Sequence, residues 1–450
     1  MKIPLKLPAE IKAFMDTFRA HKFQIFVVGG AVRNLILNKT ITNWDFATNA
    51  RPEMIQELFK ESKYNNDYGT VLIPFDINNE KNIAEVTPFR KESAYEDSRH
   101  PSKIEWANSI EEDVKRRDFT INALAFDGSN IIDLVGGQKD MDEKVICSVG
   151  DPDKRFNEDA LRLLRAVRFA TQLEYLIEDH TKESIKKNAQ LITKISWERI
   201  KDEFFKILES DHPADGVLFL KQVGLLHYIL PEIEECFSVQ QKSPERHHIY
   251  DVGTHLIEAL KNCPSKDAVT RFSVLIHDVG KARTYAKDEK SGLITFYNHE
   301  IVGAQMAEEI ANRFRLSKKE KSQFVTLVRH HMFSVNEKQT DKALRRFIRT
   351  VGKENLQHML DLRTADRVGS RARTTSWRTE LFKKRLIEVQ KKPFTVTDLK
   401  ITGHDIMEIL YIKPGPKIGE ILKKIFDDVV EEKVKNEKKA LVELIKLYSK

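Results

Sequence analysis

Two groups of residues in this 450-residue chain have the types and spacing to do chemistry. The first begins at Asn43-Trp44-Asp45. Residues two apart on a strand point to one face, so the Asn43 amide oxygen and the Asp45 carboxylate could aim at one cation. Glu85, inside the period-two run 83–89, offers another carboxylate from a neighbouring strand. Oxygen ligands gathered around Mg²⁺ suit a phosphoryl-type transfer, because the cation offsets charge on the group being moved. Upstream, Gly29-Gly30 falls between an apolar run and a helical run, where missing Cβ atoms let a triphosphate approach the backbone. Arg33 lies one turn on. Arg116-Arg117-Asp118, followed by Asn122, adds guanidinium forks that match phosphate oxygens. Asp159 and Arg162, three apart in a helical pattern, present an acceptor and a rigid donor able to hydrogen-bond a base edge, with Arg165 and Arg168 behind them. Each signal alone also fits a bland role: a turn, a strand-end carboxylate, a surface charge run, an intrahelical ion pair.

The second group is His255, His277-Asp278, His299, His330-His331 and Asp366. A lone histidine is ordinarily a core or surface residue. An adjacent His-Asp pair flanked by further histidines and a late aspartate suits one or two divalent cations, with the carboxylate bridging. Imidazole favours Mn²⁺, Ni²⁺ or Fe²⁺ over Mg²⁺. Of the neighbours at 330 and 331, His330 is the expected ligand, and Lys281 could meet a phosphate.

The elements that must position these groups change character along the chain. Residues 1–143 mix helix and strand signals: a helix face from Ile11, Phe14, Met15 and Phe18, strands at 24–28, 43–46, 70–74 and 83–89, a helix at 31–37, and Ile131-Ile132-Asp133 before a Gly-Gly turn. From about residue 157 the pattern is helical, with one further strand signal at 293–297 and a final amphipathic helix pair after Pro414-Gly415-Pro416. An α+β fold follows, a small mixed-sheet head on a long helical body. A length of 450 residues exceeds one core, and 41% apolar residues suffice for packed domains. The formal charge of +7 permits a polyanionic partner without requiring one. Three scattered cysteines give no disulfide framework, and neither a signal peptide nor an apolar run of bilayer length is visible, so a cytoplasmic protein is expected, with no membrane partner.

Taken in order, Gly-Gly-x-x-Arg, x-Trp-Asp, Arg-Arg-Asp-Phe-Thr and Glu-Asp-x-x-Arg resemble the bacterial class II CCA-adding tRNA nucleotidyltransferase and poly(A) polymerase family, closely over 24–170 and loosely beyond. The segments Leu275–Lys281 and Thr364–Arg367 resemble the HD phosphohydrolase superfamily. The resemblance implies a polymerase-beta-like nucleotidyltransferase head (1–143), a nucleotide-selecting helical neck (144–212), an HD body (213–370) and a tRNA-binding tail (371–450). It implies that the Asn43 and Asp45 positions hold Mg²⁺, and that Asp159 and Arg162 choose CTP and then ATP. The tRNA acceptor end is the implied partner, with no DNA expected. Phosphoester hydrolysis on RNA ends is the activity implied for the HD group. The family pattern has Asp where this chain has Asn43, which removes a charge from the cation site and a proton acceptor from the attacking hydroxyl. The segment 91–101 resembles the loop that CC-only relatives lack, and Lys413, Lys417 and Gly419 could hold backbone phosphates. Poly(A) addition, RNA binding by a weakened head, and hydrolysis as the main activity are the rival readings.

Overall fold

Burial alternates along the early strands, and the structure assembles them into one seven-stranded mixed sheet. The computed structural model describes residues 5–64, 69–77, 80–91, 105–241, 250–390, 396–431 and 433–448. The chain divides into two compact units, Met1–Glu235 with Arg313–Arg315, and Cys236–Asn312 with Leu316–Lys450.

In the first unit the strands are β1 (Ile25–Val28), β2 (Trp44–Thr48), β3 (Lys63–Tyr64), β4 (Val71–Ile77), β5 (Glu80–Pro88), β6 (Arg90–Lys91), β7 (Glu105–Trp106), β8 (Leu124–Phe126) and β9 (Ile131–Asp133). The sheet order is β3-β4-β5-β2-β1-β8-β9, and β6 pairs with β7 beside it. Only the β2–β5 pairing in the large sheet is parallel, and its register sets Asp45 opposite Glu85. Helix α1 (Ala9–Ala20) buries Ile11, Phe14, Met15 and Phe18. The Phe14 ring lies 4.8 Å from Phe46, 5.2 Å from Phe59 and 5.8 Å from Phe75. Each such buried side chain contributes roughly 1.5–3 kcal/mol, enough to fix which sheet face is covered. Pleating then sends Ala47 to the opposite face, where it joins Val28, Ala125, Ile110 and Val114 in a second core. Asp45 shares the Ala47 face by the same alternation.

The remaining helices of this unit that matter for the site are α2 (Gly30–Ile36), α3 (Pro52–Leu58), α4 (Ile110–Lys115), α5 (Gly137–Asp142), α6 (Pro152–Glu158) and α7 (Leu161–Leu173). β8 has no counterpart in the sequence reading: Leu124, Ala125 and Phe126 are all buried, so the strand shows no alternation. The helical run expected through Glu158-Asp159 and Arg162 is corrected. Asp159 leaves helical geometry at φ −144° and ψ 103°, and its carboxylate accepts the Leu161 N–H at 3.1 Å, ending α6 before α7 begins.

The second unit is helical. Val252–Lys261, Ala268–Ile276, Lys318–His330 and Leu356–Gly369 pack around one buried centre with His299–Arg313. The expected strand at 293–297 shrinks to Ile294–Thr295, paired with Ala286–Lys287. A separate core of Ile406, Ile421, Ile425, Leu441 and Ile445 joins the last three helices, including the amphipathic pair Pro416–Val430 and Lys438–Tyr448. Among the described residues no helix is long and apolar enough to cross a membrane.

Candidate functional site

The first unit gathers one group around the end of β1. Gly29 has φ +65° and ψ −135°, and a Cβ there would stand 3.1 Å from Arg117 Nη1 and 3.8 Å from Asp45 Oδ2. Glycine is required by the backbone, and its absent side chain leaves the guanidinium and the carboxylate facing one opening. Burial, and next the Glu85 charge beside it, push the Asp45 carboxyl up to about 6 against the pull of Arg117. A cation between two neighbouring carboxylates would relieve that repulsion, so this pair fits Mg²⁺. Asn43 is exposed in the bend just before β2.

Arginine and acid side chains build the wall beside this opening. Asp113 of α4, only 1% exposed, accepts from Arg116 through Oδ1 at 2.5 Å and from Arg117 through Oδ2 at 2.9 Å. Burial alone would raise the Asp113 carboxyl, but the two guanidiniums hold it well below the usual carboxylate range. Asp113 escaped the sequence reading, although its spacing of three and four residues from the arginines on a helix was the available signal. Arg33 donates to Asn122 Oδ1 at 2.5 Å, and Asn122 also reaches Asp118 Oδ1. Arg165 donates to Asp118 Oδ2 at 2.5 and 2.8 Å; burial opposes ionisation of Asp118, yet Arg165 brings it down to about 2. Arg33, Arg165 and Arg168 converge on the Phe169 ring, at 5.3, 5.2 and 3.9 Å from its centroid. Asp118 and Glu203 pair with Arg165 and Arg168, so the group carries three cations against two anions.

The pair expected to read a base is assembled differently. Arg162 is 9% exposed and donates to Glu158 Oε2 at 2.8 Å and to the carbonyls of Arg155 and Arg116. Asp159 accepts from Arg199 Nη2 at 2.9 Å. The two side chains are thus tied to Glu158, the first residue of the Glu-Asp-x-x-Arg motif, and to Arg199, which no motif marked.

In the second unit six residues converge. Asp278 is 4% exposed and divides its oxygens. Oδ2 lies 3.5 Å from both His255 Nε2 and His277 Nε2, while Oδ1 lies 3.3 Å from His299 Nε2 and 3.5 Å from His331 Nε2. Asp366 Oδ1 completes the first side, 3.3 Å from His255 Nε2 and 3.7 Å from His277 Nε2. His331, not the expected His330, occupies the cluster: it is 3% exposed and its Nε2 lies 3.3 Å from His299 Nε2, whereas His330 is half-buried on the preceding helical position. Successive helical residues diverge by about 100°, so only one of two adjacent histidines can enter.

Nδ1 of His277, His299 and His331 lies 2.8, 2.8 and 2.7 Å from the carbonyls of Val274, Phe296 and Val328. Those carbonyls demand a proton on Nδ1, which leaves Nε2 as a lone pair on the inside. Lone pairs of His299 and His331 then face each other and a shared carboxylate. Such a donor set fits divalent cations, and the divided Asp278 fits two of them. Lys281 Nζ closes one edge, 2.6 Å from Asp278 Oδ2 and 2.7 Å from Gln241 Oε1. A Cβ on Gly280 would fall 2.1 Å from the His299 carbonyl oxygen, so glycine sets the distance between Asp278 and His299. Gly280→Ala must push those backbones apart, and Mn²⁺ affinity measured by calorimetry is expected to fall roughly 10–100-fold.

Residues 25–147 match the Poly A polymerase head domain, 175–237 match the probable RNA and SrmB-binding site of polymerase A, and 287–445 match the putative tRNA nucleotidyltransferase domain 2. The A-adding tRNA nucleotidyltransferase of Deinococcus radiodurans is 33% identical over 329 residues, 70% of this chain and 74% of that one. The crystal structure of the Bacillus stearothermophilus CCA-adding enzyme in complex with CTP superposes with a TM-score of 0.72 at 25% identity, covering 98% of this chain and 97% of the other. The CCA-adding enzyme of Ligilactobacillus salivarius is 31% identical over 442 residues, which is 97% of this chain and 96% of that enzyme. A match that runs the length of both proteins, through head and helical body alike, makes this chain a member of the CCA-adding family of tRNA nucleotidyltransferases.

Proposed function

We propose that this chain rebuilds the 3′ end of tRNA by adding CMP, CMP and AMP from CTP and ATP, and that its second unit hydrolyses phosphoesters on RNA ends. The observation carrying the first activity is the register of Asp45 against Glu85 beside the opening at Gly29 and Arg117. In the reaction, the RNA 3′-oxygen forms a bond to the α-phosphorus, the bond from that phosphorus to the bridging oxygen breaks, pyrophosphate departs with that oxygen, and the hydroxyl proton passes to water. Asp45 and Glu85 would hold Mg²⁺, which when bound supplies charge neutralisation on the phosphates. Arg33 and Arg117 bind the triphosphate as forks, with Arg165 and Arg168 lending positive potential. Asp159 and Arg162 choose the base, which requires them to exchange Arg199 and Glu158 for the base edge.

Asn43 replaces a carboxylate of the family pattern. Asn43→Asp restores a charged oxygen beside Asp45, so CMP incorporation into tRNA lacking its CCA end is expected to stay equal or rise, up to about tenfold if metal occupancy limits the rate. A large loss in single-turnover assays would instead give the amide a role of its own.

The A-adding relative motivates a second reading, addition of AMP alone. Of the segment 91–101, whose resemblance bears on completing A as well as CC, residues 92–101 lie outside the described residues. Trimmed tRNA with each NTP alone and together separates the cases: two additions from CTP and a single A afterwards mark CCA addition, AMP alone onto a CC end marks A addition, and unlimited AMP marks poly(A) synthesis.

For the second unit, the support is the divided Asp278 and the inward Nε2 lone pairs. Divalent ions bound there would supply Lewis acidity to a phosphoester and to water. Hydrolysis transfers a water oxygen to phosphorus, breaks the bond to the ribose oxygen, and returns a proton to that oxygen. Lys281 holds a phosphate oxygen. Release of phosphate from RNA ends bearing a 2′-phosphate, and opening of a 2′,3′-cyclic phosphate to a monoester, in Mn²⁺ or Ni²⁺, test it.

A further inference from the structure

A cleft of about 380 Å³ opens over the histidine–aspartate cluster. Its floor is polar, formed by Asp278, His299, His331 and Lys281, and its rim carries Tyr297 and Met332. Those two apolar side chains are 78% and 63% exposed, although each is within two residues of a buried histidine of the floor. Tyr297 precedes Asn298, whose φ of +62° turns the chain sharply into the helix His299–Arg313. The neighbouring Phe296 lines the same cleft beside its floor: its carbonyl meets His299 Nδ1 and its ring lies 5.4 Å from Lys281 Nζ. The turn therefore separates one aromatic residue that supports the floor from one that has no packing duty.

Exposed apolar side chains scattered singly mean little, but a tyrosine and a methionine on the rim of one polar, cation-ready cleft describe a ligand with two ends. The charged end is a phosphoester, drawn by Lys281 and by whatever cations the floor takes up. The other end is flat and apolar, with π-faces that stack on tyrosine and a surface that a flexible thioether can follow. A nucleobase on a ribose phosphate has both ends. We propose that Tyr297 and Met332 form a base clamp, so that the second site prefers a nucleoside phosphoester, free or at the terminus of an RNA, over an alkyl phosphate. This rests on the hydrolase reading of the same cluster.

The test uses the full chain loaded with Mn²⁺. Turnover of adenosine 2′-phosphate, of an RNA hexamer ending in a 2′-phosphate and of glycerol 2-phosphate is measured in the wild type and in Tyr297→Ala, Tyr297→Phe and Asp278→Asn. Calorimetric binding of adenosine 2′-phosphorothioate and of orthophosphate gives a readout apart from turnover. Loss of a stacking face should lower the nucleotide-to-glycerol ratio of kcat/KM about tenfold in Tyr297→Ala, ~1.4 kcal/mol, mostly through KM. The phosphorothioate-to-phosphate binding ratio should fall alike, and Tyr297→Phe should keep both. A larger effect on the hexamer than on the mononucleotide assigns the clamp to RNA ends, and an equal effect assigns it to free nucleotides as well. Unchanged ratios in an active Tyr297→Ala overturn the clamp and leave the hydrolase standing. No turnover of any ester by the wild type overturns the hydrolase reading and the clamp with it.

Discussion

Asp45→Asn should lower CMP incorporation into trimmed tRNA by at least ~10³-fold, ~4 kcal/mol of transition-state stabilisation, while CTP affinity changes little. The expectation follows from what remains at the site. With Asn43 already neutral, removing the Asp45 charge leaves Glu85, on the neighbouring strand, as the facing carboxylate. A cation held by one exposed carboxylate is mostly hydrated and poorly placed, so it cannot follow charge onto the leaving pyrophosphate. In the proposed reaction nucleotide binding draws on Arg33, Arg117 and the cations gathered at Phe169, which the substitution leaves in place, so it is expected to survive. The substitution is nearly isosteric, and Asp45 pays for its charge with a carboxyl raised to about 6, so folding is not expected to suffer. The same logic gives Asn43→Asp, Asp45→Asn as a double variant a distinctive outcome. If position 43 can hold the ion, the charge moved by two residues recovers part of the rate. Single-turnover incorporation over a range of Mg²⁺ reads both the loss and the recovery, and a single variant within tenfold of wild type would mean that Asp45 does not ligate.

Local signals made the head legible. Ile11, Phe14, Met15 and Phe18 mark one helix face, and the structure buries all four; the Gly29-Gly30 turn, the alternation around Glu85 and the Ile131–Asp133 strand stand where the spacing puts them. Order along the chain, rather than any one residue, pointed to the chemistry. What could not be read depends on three-dimensional neighbours. Asp159 was placed on a helix because Glu158 to Arg168 carries a continuous helical pattern, yet a carboxylate that caps Leu161 from its own side chain ends one helix and starts the next. Propensity is blind to that competition. His331 could not be told from His330, because adjacent residues on a helix differ only in azimuth, and the azimuth is set by Phe324, Leu327 and Val328 packing inward. Asp113, Arg199 and Gln241 serve by holding other side chains, and a holding residue has no motif of its own.

Asp278→Asn should abolish the second site and spare the first. The carboxylate is shared: one oxygen faces His255 and His277, which also face Asp366, and the other faces His299 and His331. An amide offers a single oxygen, and its NH₂ turned toward either histidine pair presents protons where lone pairs must meet a cation. Binding of Mn²⁺ should drop from two equivalents to at most one of low affinity, and hydrolysis of RNA-end phosphoesters should fall ~10³-fold or more. Asparagine is preferable to alanine here. Lys281 Nζ is buried, 2.6 Å from Asp278 Oδ2 and 2.7 Å from Gln241 Oε1, and alanine would leave its ammonium with one partner and a cavity, a loss of several kcal/mol unrelated to the metal. The asparagine oxygen keeps that bond while the bridging charge disappears. CMP incorporation by the same protein is expected to remain within about twofold, because no residue of the Asp45 site belongs to the unit that holds Asp278. Equal loss of both activities would mean that Asp278 acts through the fold, whereas retained binding of two Mn²⁺ equivalents would remove it from the cation site altogether.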